Sequence, residues 1–254
     1  MASTTPQPLL PWKTRVQIYF LTKASDVVRR TNGTVNRRLM NFLDFKTPPN
    51  AAAVKGVSTK DVTVNATRNL WFRCFLIGDS AGANVAHHVA VRVAKSGLRE
   101  FRVGISGLQR VRVVGLVSIQ AWFGGEERTE AEKRLVDAPI VSVPRTDWLW
   151  KAFLPDGSDR DHGAVNVCGP NSEDLSGLDY PETLVFVSGF DPLQDWQKRY
   201  YEWLKSMGKK VQLIEYPTMI HAFYIFPEIP ESSHLISEVK DFINERINRI
   251  SDLK

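Results

Sequence analysis

Cysteine is nearly absent: Cys74 and Cys168 are the two in 254 residues. Two cysteines make no disulfide framework, and Cys74, inside an apolar run, reads as a small buried hydrophobe. A reducing compartment, the cytoplasm or also the nucleus, is the simpler expectation. No uninterrupted apolar stretch reaches the length of a membrane span. Residues 1–11 hold no charged stretch followed by an apolar one, so no signal peptide is expected. Basic blocks are missing too. The net charge is +5, but lysine and arginine are spread, with small pairs at Arg29-Arg30, Arg37-Arg38 and Lys209-Lys210. A nucleic-acid partner calls for a concentrated stripe on a recognisable module, and none is present. No clustered Cys/His spacing points to a metal, and no cofactor is expected.

What remains is ordinary for a soluble globular protein, 43% hydrophobic and 24% charged. Residues 14–30 carry apolar side chains at helical spacing, and Asn32-Gly33 reads as the stop. Residues 35–43 predict a second short helix, ended by Pro48-Pro49-Asn50. Residues 60–65 alternate as a half-buried strand does. The run at 69–78 predicts a buried strand ending in glycine. A buried helix is expected at 83–95, with Val85, Ala86, Val89, Ala90 and Val93 on one side. Strands at 111–120, 183–188 and 211–216 follow. Helices are expected at 147–154, 196–207 (stopped by Gly208) and 232–250, and a long loop at 157–178. Strand and helix in alternation specify an α/β fold, a parallel sheet covered on both faces. With no repeat and no low-complexity linker, one domain over residues 1–254 is expected. Residues 1–50 form an N-terminal helical cap and residues 58–254 the core.

Gly78-Asp79-Ser80-Ala81-Gly82 matches G-x-S-x-G. A strand that reverses into a helix over so few residues strains the serine backbone, and side chains at the glycine positions are expected to crowd neighbouring backbone. The turn lifts the serine oxygen above the sheet edge, at a helix N-terminus that favours developing negative charge. The pattern alone arises by chance in roughly one chain of this length in twelve. Its setting between an apolar strand and a helix is what gives it weight. The plainer alternative is a glycine-rich turn whose serine caps a helix.

A nucleophilic serine needs a base and a carboxylate to orient that base. In this topology they follow in the order Ser, Asp, His, past the ends of later strands. Asp191 follows the strand at 183–188, and His221 follows the strand at 211–216. Asp195, one turn on, is the competing carboxylate or a helix N-cap ahead of Trp196. His87 and His88, in the helix after the elbow, read as packed or surface histidines; His162 and His234 carry no assigned role.

These residues together resemble the plant carboxylesterases of the hormone-sensitive-lipase-like branch of α/β hydrolases. The resemblance rests on the elbow and its helix, residues 78–92, and on Arg29-Arg30-Thr31-Asn32-Gly33-Thr34-Val35-Asn36-Arg37, with Asn32 where the family carries aspartate. Residues 123–129, Gly189-Phe190-Asp191-Pro192-Leu193 and His221-Ala222-Phe223 also fit. It implies an α/β-hydrolase fold and a carboxylic-ester hydrolase with Ser80, Asp191 and His221 as its triad. The N-terminal helices would be a lid over a pocket for a small apolar ester or hormone-like ligand. Gibberellin receptors share the scaffold but lack the triad histidine, so His221 favours an esterase.

The chain departs from the family at one place. A segment with two central strands and a His-Gly-Gly-Gly loop should separate residues 69–73 from the elbow strand; here Arg73 runs straight into Cys74. That loop supplies oxyanion N–H groups alongside that of the residue after serine, Ala81. The pair Gly124-Gly125 lies downstream and does not fit the role. The resemblance thus implies a sheet lacking two central strands and an elbow strand short of a neighbour. Three readings stand: an ester hydrolase; a non-catalytic small-molecule-binding module, with Trp148, Trp150 and Phe153 lining an apolar pocket; or an inactive truncated isoform.

Overall fold

The computed structural model describes residues 8–43, 52, 71–96, 101–103 and 109–251. Helices α1 (Trp12–Val28) and α2 (Arg37–Leu43) come first. Strand β1 (Trp71–Asp79) leads into α3 (Ala81–Lys95), followed by β2 (Phe101–Val103) and β3 (Gln109–Ile119). Two short helices, α4 (Glu130–Arg134) and α5 (Val143–Phe153), precede β4 (Glu182–Phe190) and α6 (Gln194–Ser206). Strand β5 (Val211–Ile220), a single 3₁₀ turn (Phe223–Ile225) and α7 (Pro230–Ser251) close the chain. The strand expected at 60–65 lies outside the described residues.

The sheet runs β1-β3-β4-β5 with every neighbour parallel; β2 adds an antiparallel hairpin arm to the start of β3. Strand β4 is central, and Leu184, Val185, Phe186 and Val187 are all buried. Such a continuous apolar run is what a strand covered on both faces requires. Side chains alternate across it. Leu116, Val185 and Val187 join Ala83, Ala86, Ala90, Tyr200 and Leu204 in a core under α3 and α6. Val117, Leu184 and Phe186 join Ile18, Leu235 and Phe242 in a second core under α1 and α7. Each fully buried Val, Leu or Phe among these contributes about 1.5–3 kcal/mol.

Strand β1 is less buried than its apolar run predicts, while its position matches the elbow strand short of a neighbour that the resemblance implies. It forms as one strand with a register irregularity between Cys74 and Phe75, and among the described residues it stands at the end of the sheet, paired on one side to β3. Cys74 is only half-buried and Ile77 is 51% exposed, so the run is an edge strand and not a buried one. The reason is topological: an apolar run is buried only where two neighbours and two covering layers meet. The same holds for α3, where Val85 and Val89 are exposed and the inward side is formed by Ala83, Ala86, His87, Ala90, Val91 and Ala94.

The N-terminal segment is tied to the core at several points. Thr14 Oγ1 donates to Glu228 (2.8 Å), Arg145 pairs with Asp26 (2.6 Å), and Trp148 Nε1 donates to the Arg30 carbonyl (3.1 Å). Helix α1 ends at Val28, ahead of the Asn32-Gly33 stop. Gly33, at φ +79°, instead turns the chain so that Arg29 and Val35 form an antiparallel bridge. Among the described residues the aromatic side chains of α5 go to different places. Trp150 packs on Trp122 in the core (centroids 5.6 Å), Phe153 is exposed, and Trp148 holds the N-terminal segment.

Candidate functional site

Three parallel strands, β1, β4 and β5, deliver Ser80, Asp191 and His221 to the same end of the sheet. At Ser80 the strand turns into α3 through φ 51° and ψ −120°, a conformation non-glycine residues rarely adopt. It is held by Ser80 N donating to the Ile119 carbonyl (2.9 Å) and by the Ser80 carbonyl accepting from Trp122 N (2.9 Å). Gly78 is needed for the turn, because a Cβ there would press into the Gly82 carbonyl and stand 2.6 Å from Ala83 N. Gly82 corrects the expectation from sequence: a Cβ there meets nothing closer than Asp79 Oδ1 at 3.8 Å. The crowding falls on one glycine of the motif.

Asp191 is fully buried, just past β4. Its Oδ1 accepts from Leu193 N (2.9 Å), and its Oδ2 from Gln197 Nε2 (2.9 Å). His221 follows β5 and is 2% exposed, edge-on to Trp122 at 6.1 Å. Its Nδ1 lies 2.7 Å from Asp191 Oδ2 and its Nε2 3.0 Å from Ser80 Oγ. The carboxylate fixes the tautomer: Nδ1 carries the proton and donates it to Asp191, which leaves Nε2 free to accept from the serine.

Ala81 is the first residue of α3. The Ser80 carbonyl already accepts from Ala83 N and Asn84 N, and a first-turn N–H such as that of Ala81 has no acceptor within the helix. This donor therefore stands beside Ser80 at the positive end of a 15-residue helix. Gly124-Gly125 serves packing instead. Gly124 N donates to the Val165 carbonyl (3.2 Å), and a Cβ at Gly125 would strike Trp196.

The competing residues have other partners. Asp195 is not an N-cap; it lies inside the first turn of α6 and accepts from Ala131 N (2.8 Å) at the start of α4. His87 is buried, its Nδ1 2.9 Å from the Tyr180 hydroxyl and 3.1 Å from that of Tyr200. Burial holds His87 down to about 3, so its ring is neutral. His162 Nδ1 accepts from Ala164 N in a turn.

Two glutamines escaped the sequence reading. Gln120 is fully buried at φ +47°. Its Nε2 donates to Ser188 Oγ and to the Ile220 carbonyl (3.0 Å), and its Oε1 accepts from Ala222 N (2.6 Å). It straps the end of β4 to the turn that carries His221. Gln197, beside Asp191, also donates to the Ala121 carbonyl (3.2 Å). The one sequence signal was a glutamine directly after an apolar strand, where a solvent-facing turn residue is the commoner explanation. Tyr224 adds a contact at the elbow, its hydroxyl donating to Asp79 Oδ2 (2.7 Å). Burial and that carboxylate push the phenol up, so it remains a donor. Among the described residues no group of three or more His, Cys, Asp or Glu is placed to hold a metal ion, and no helix is long and apolar enough to cross a membrane.

The pattern of the alpha/beta hydrolase fold matches residues 51–225. The chain belongs to the α/β-hydrolase family. This α/β hydrolase is 41% identical to the gibberellin receptor GID1C of Arabidopsis thaliana over 172 residues, 68% of this chain and 46% of the receptor. It is 38% identical to probable carboxylesterase 8 of the same plant over 143 residues, 55% of this chain and 40% of the relative. It thus spans less than half the length of either. Among solved structures, esterase LipW of Mycobacterium marinum superposes with a TM-score of 0.56 over 68% of this chain and 49% of that one, at 21% identity. A Rhizomucor miehei esterase does so at 0.57 over 67% and 49%, at 22% identity. These structures share the fold. The relatives fit a plant-type, hormone-sensitive-lipase-like α/β hydrolase, and the partial sheet fits an α/β hydrolase lacking two central strands.

Proposed function

We propose that this α/β hydrolase cleaves carboxylic esters through an acyl-enzyme on Ser80. The observation that carries the reading is the His221 ring, held between Ser80 Oγ at 3.0 Å and Asp191 Oδ2 at 2.7 Å. Ser80 Oγ attacks the ester carbonyl carbon while His221 Nε2 takes the hydroxyl proton, and Asp191 stabilises the imidazolium. The carbonyl oxygen becomes an oxyanion that accepts from Ala81 N–H. Collapse expels the alcohol, which leaves with the proton from Nε2. Water then repeats the sequence on the acyl-serine, releasing the acid and restoring the serine. No cofactor enters the cycle.

Ala81 is one oxyanion donor where such sites use two or more, and each missing donor lowers the rate by about 10²–10³-fold. Turnover is therefore expected to be slow. Residues 1–50 act as a lid on the same single domain. Helix α1, with Pro8, Leu10, Arg15 and Ile18, borders a cavity of about 700 Å³ that reaches Phe190, next to Asp191. Its other walls carry Lys133, Arg134 and Asp137, so the small apolar ester proposed as substrate rests on the family resemblance and not on this lining.

The test is hydrolysis of p-nitrophenyl acetate by the chain and by Ser80→Ala. The reading predicts slow turnover that Ser80→Ala abolishes; equal rates in the two proteins contradict it. A second reading, binding of a hormone-like ligand without turnover, is favoured by the 41% identity to a gibberellin receptor. Saturable ligand binding by a folded chain that hydrolyses no ester, unchanged by Ser80→Ala, would select it.

A further inference from the structure

The outer side of β1 presents an edge that the rest of the described fold does not use. The strand's nine residues pair with β3 on one side; among the described residues none pairs with the other. Such an edge is a row of unsatisfied N–H and C=O groups, normally blunted by proline, lysine or inward charge. Strand β1 has no proline and no lysine. Ile77 is 51% exposed on it, and Val85 and Val89 are 61% and 38% exposed on α3, the helix packed on β1 and β3.

Its two charged residues, Arg73 and Asp79, lie near opposite ends and on the same face, six residues apart. Pairing the strand antiparallel with an identical strand, Leu76 opposite Leu76, places Arg73 opposite Asp79 on both sides of the two-fold axis. Cys74 then faces Gly78, and Phe75 faces Ile77. A slip of two residues in either direction loses both ion pairs, and an in-register parallel pairing sets like charges side by side. Tyr224 occupies Asp79 Oδ2, which leaves Oδ1 for the arginine.

We propose that this edge is a homodimer interface in which β1 pairs antiparallel with β1 of a second copy about Leu76, joining two sheets into one. The two-fold pairing is closed: each edge is consumed by the other, and each exposed Ile77 packs across the seam on Phe75 of the second copy. The interface does not depend on the hydrolytic reading.

Light scattering on the full chain after size exclusion, over a range of micromolar concentrations, tests the pairing and its register. The expected mass is twice that of one chain. Ile77→Lys, a lysine on the edge, is expected to give monomer. Arg73→Asp and Asp79→Arg each weaken association about tenfold or more, and the double exchange Arg73→Asp/Asp79→Arg restores it to within about threefold. Circular dichroism confirms that each variant is folded; should Asp79→Arg fail to fold, Ile77→Lys and Arg73→Asp decide. Three outcomes overturn the proposal. One is a monomer at every concentration, as when residues 53–70 of the same chain cover the edge. The others are open-ended aggregates, and a dimer indifferent to Ile77→Lys and Arg73→Asp.

Discussion

Gln120 binds together parts of the chain far apart in sequence. Its contacts to Ser188, Ile220 and Ala222 span 68, 100 and 102 residues. The variant Gln120→Leu leaves the buried Ile220 carbonyl and the part-buried Ala222 N–H without that partner, at about 1–3 kcal/mol for the buried group. Urea unfolding is expected to show the loss, and ester turnover to fall by up to about 10²-fold with little change in KM, since His221 is displaced and not the substrate. A Gln120→Leu chain as stable and active as the parent would show that the strap positions nothing. At Asp191, replacement by asparagine keeps the shape but allows the wrong imidazole tautomer, for which a loss of about 10⁴ in turnover is expected. Ser80, Asp191 and His221 were legible because chain order and strand ends constrain them without knowledge of contacts. Gln120 was not, because its meaning lies wholly in partners a hundred residues away.

At the scale of elements, two turns depend on glycine for lack of room. A Cβ at Gly78 would enter the Gly82 carbonyl, and one at Gly189 would enter the Pro217 carbonyl, where the acid-bearing turn meets the end of β5. Backbone cannot yield as a side chain can, so Gly78→Ala and Gly189→Ala are each expected to destabilise by about 1–3 kcal/mol or more. Gly82→Ala, in open contact, should leave stability unchanged or raise it by up to about 1 kcal/mol. Thermal midpoints of the three variants check the contrast; an equal loss in all three would refute it. The four parallel strands and most of the helices were readable from apolar periodicity; β2 and α4, each of five residues or fewer, were not. The burial of β1 and of Val85 and Val89 was not. Periodicity reports that a side chain prefers an apolar neighbour, whereas exposure is decided by how many strands stand beside it, and among the described residues β1 has one.

For the molecule as a whole, His87 makes stability depend on pH. Its ordinary value of 6.5 is lowered to about 3 by burial beside Tyr180 and Tyr200. The unfolded chain binds this proton below about pH 6.5 and the folded chain does not. Stability is therefore fully present above 6.5 and is lost as pH falls towards 3, by at most about 1.4 kcal/mol per pH unit. In His87→Leu the two tyrosine hydroxyls still have each other at 3.2 Å, and the slope of thermal midpoint against pH between 7 and 5 should flatten. An unchanged slope would assign the dependence to other groups.

Activation of Ser80 by His221 is the step on which the proposed hydrolysis depends. Intact-mass analysis after exposure to a fluorophosphonate reads that activation directly, without requiring turnover or a known ester. One phosphonyl group per chain is predicted, absent in Ser80→Ala and formed more slowly by about 10³-fold or more in His221→Ala. A folded chain that stays unlabelled, or labelling as fast in His221→Ala as in the parent, would contradict it.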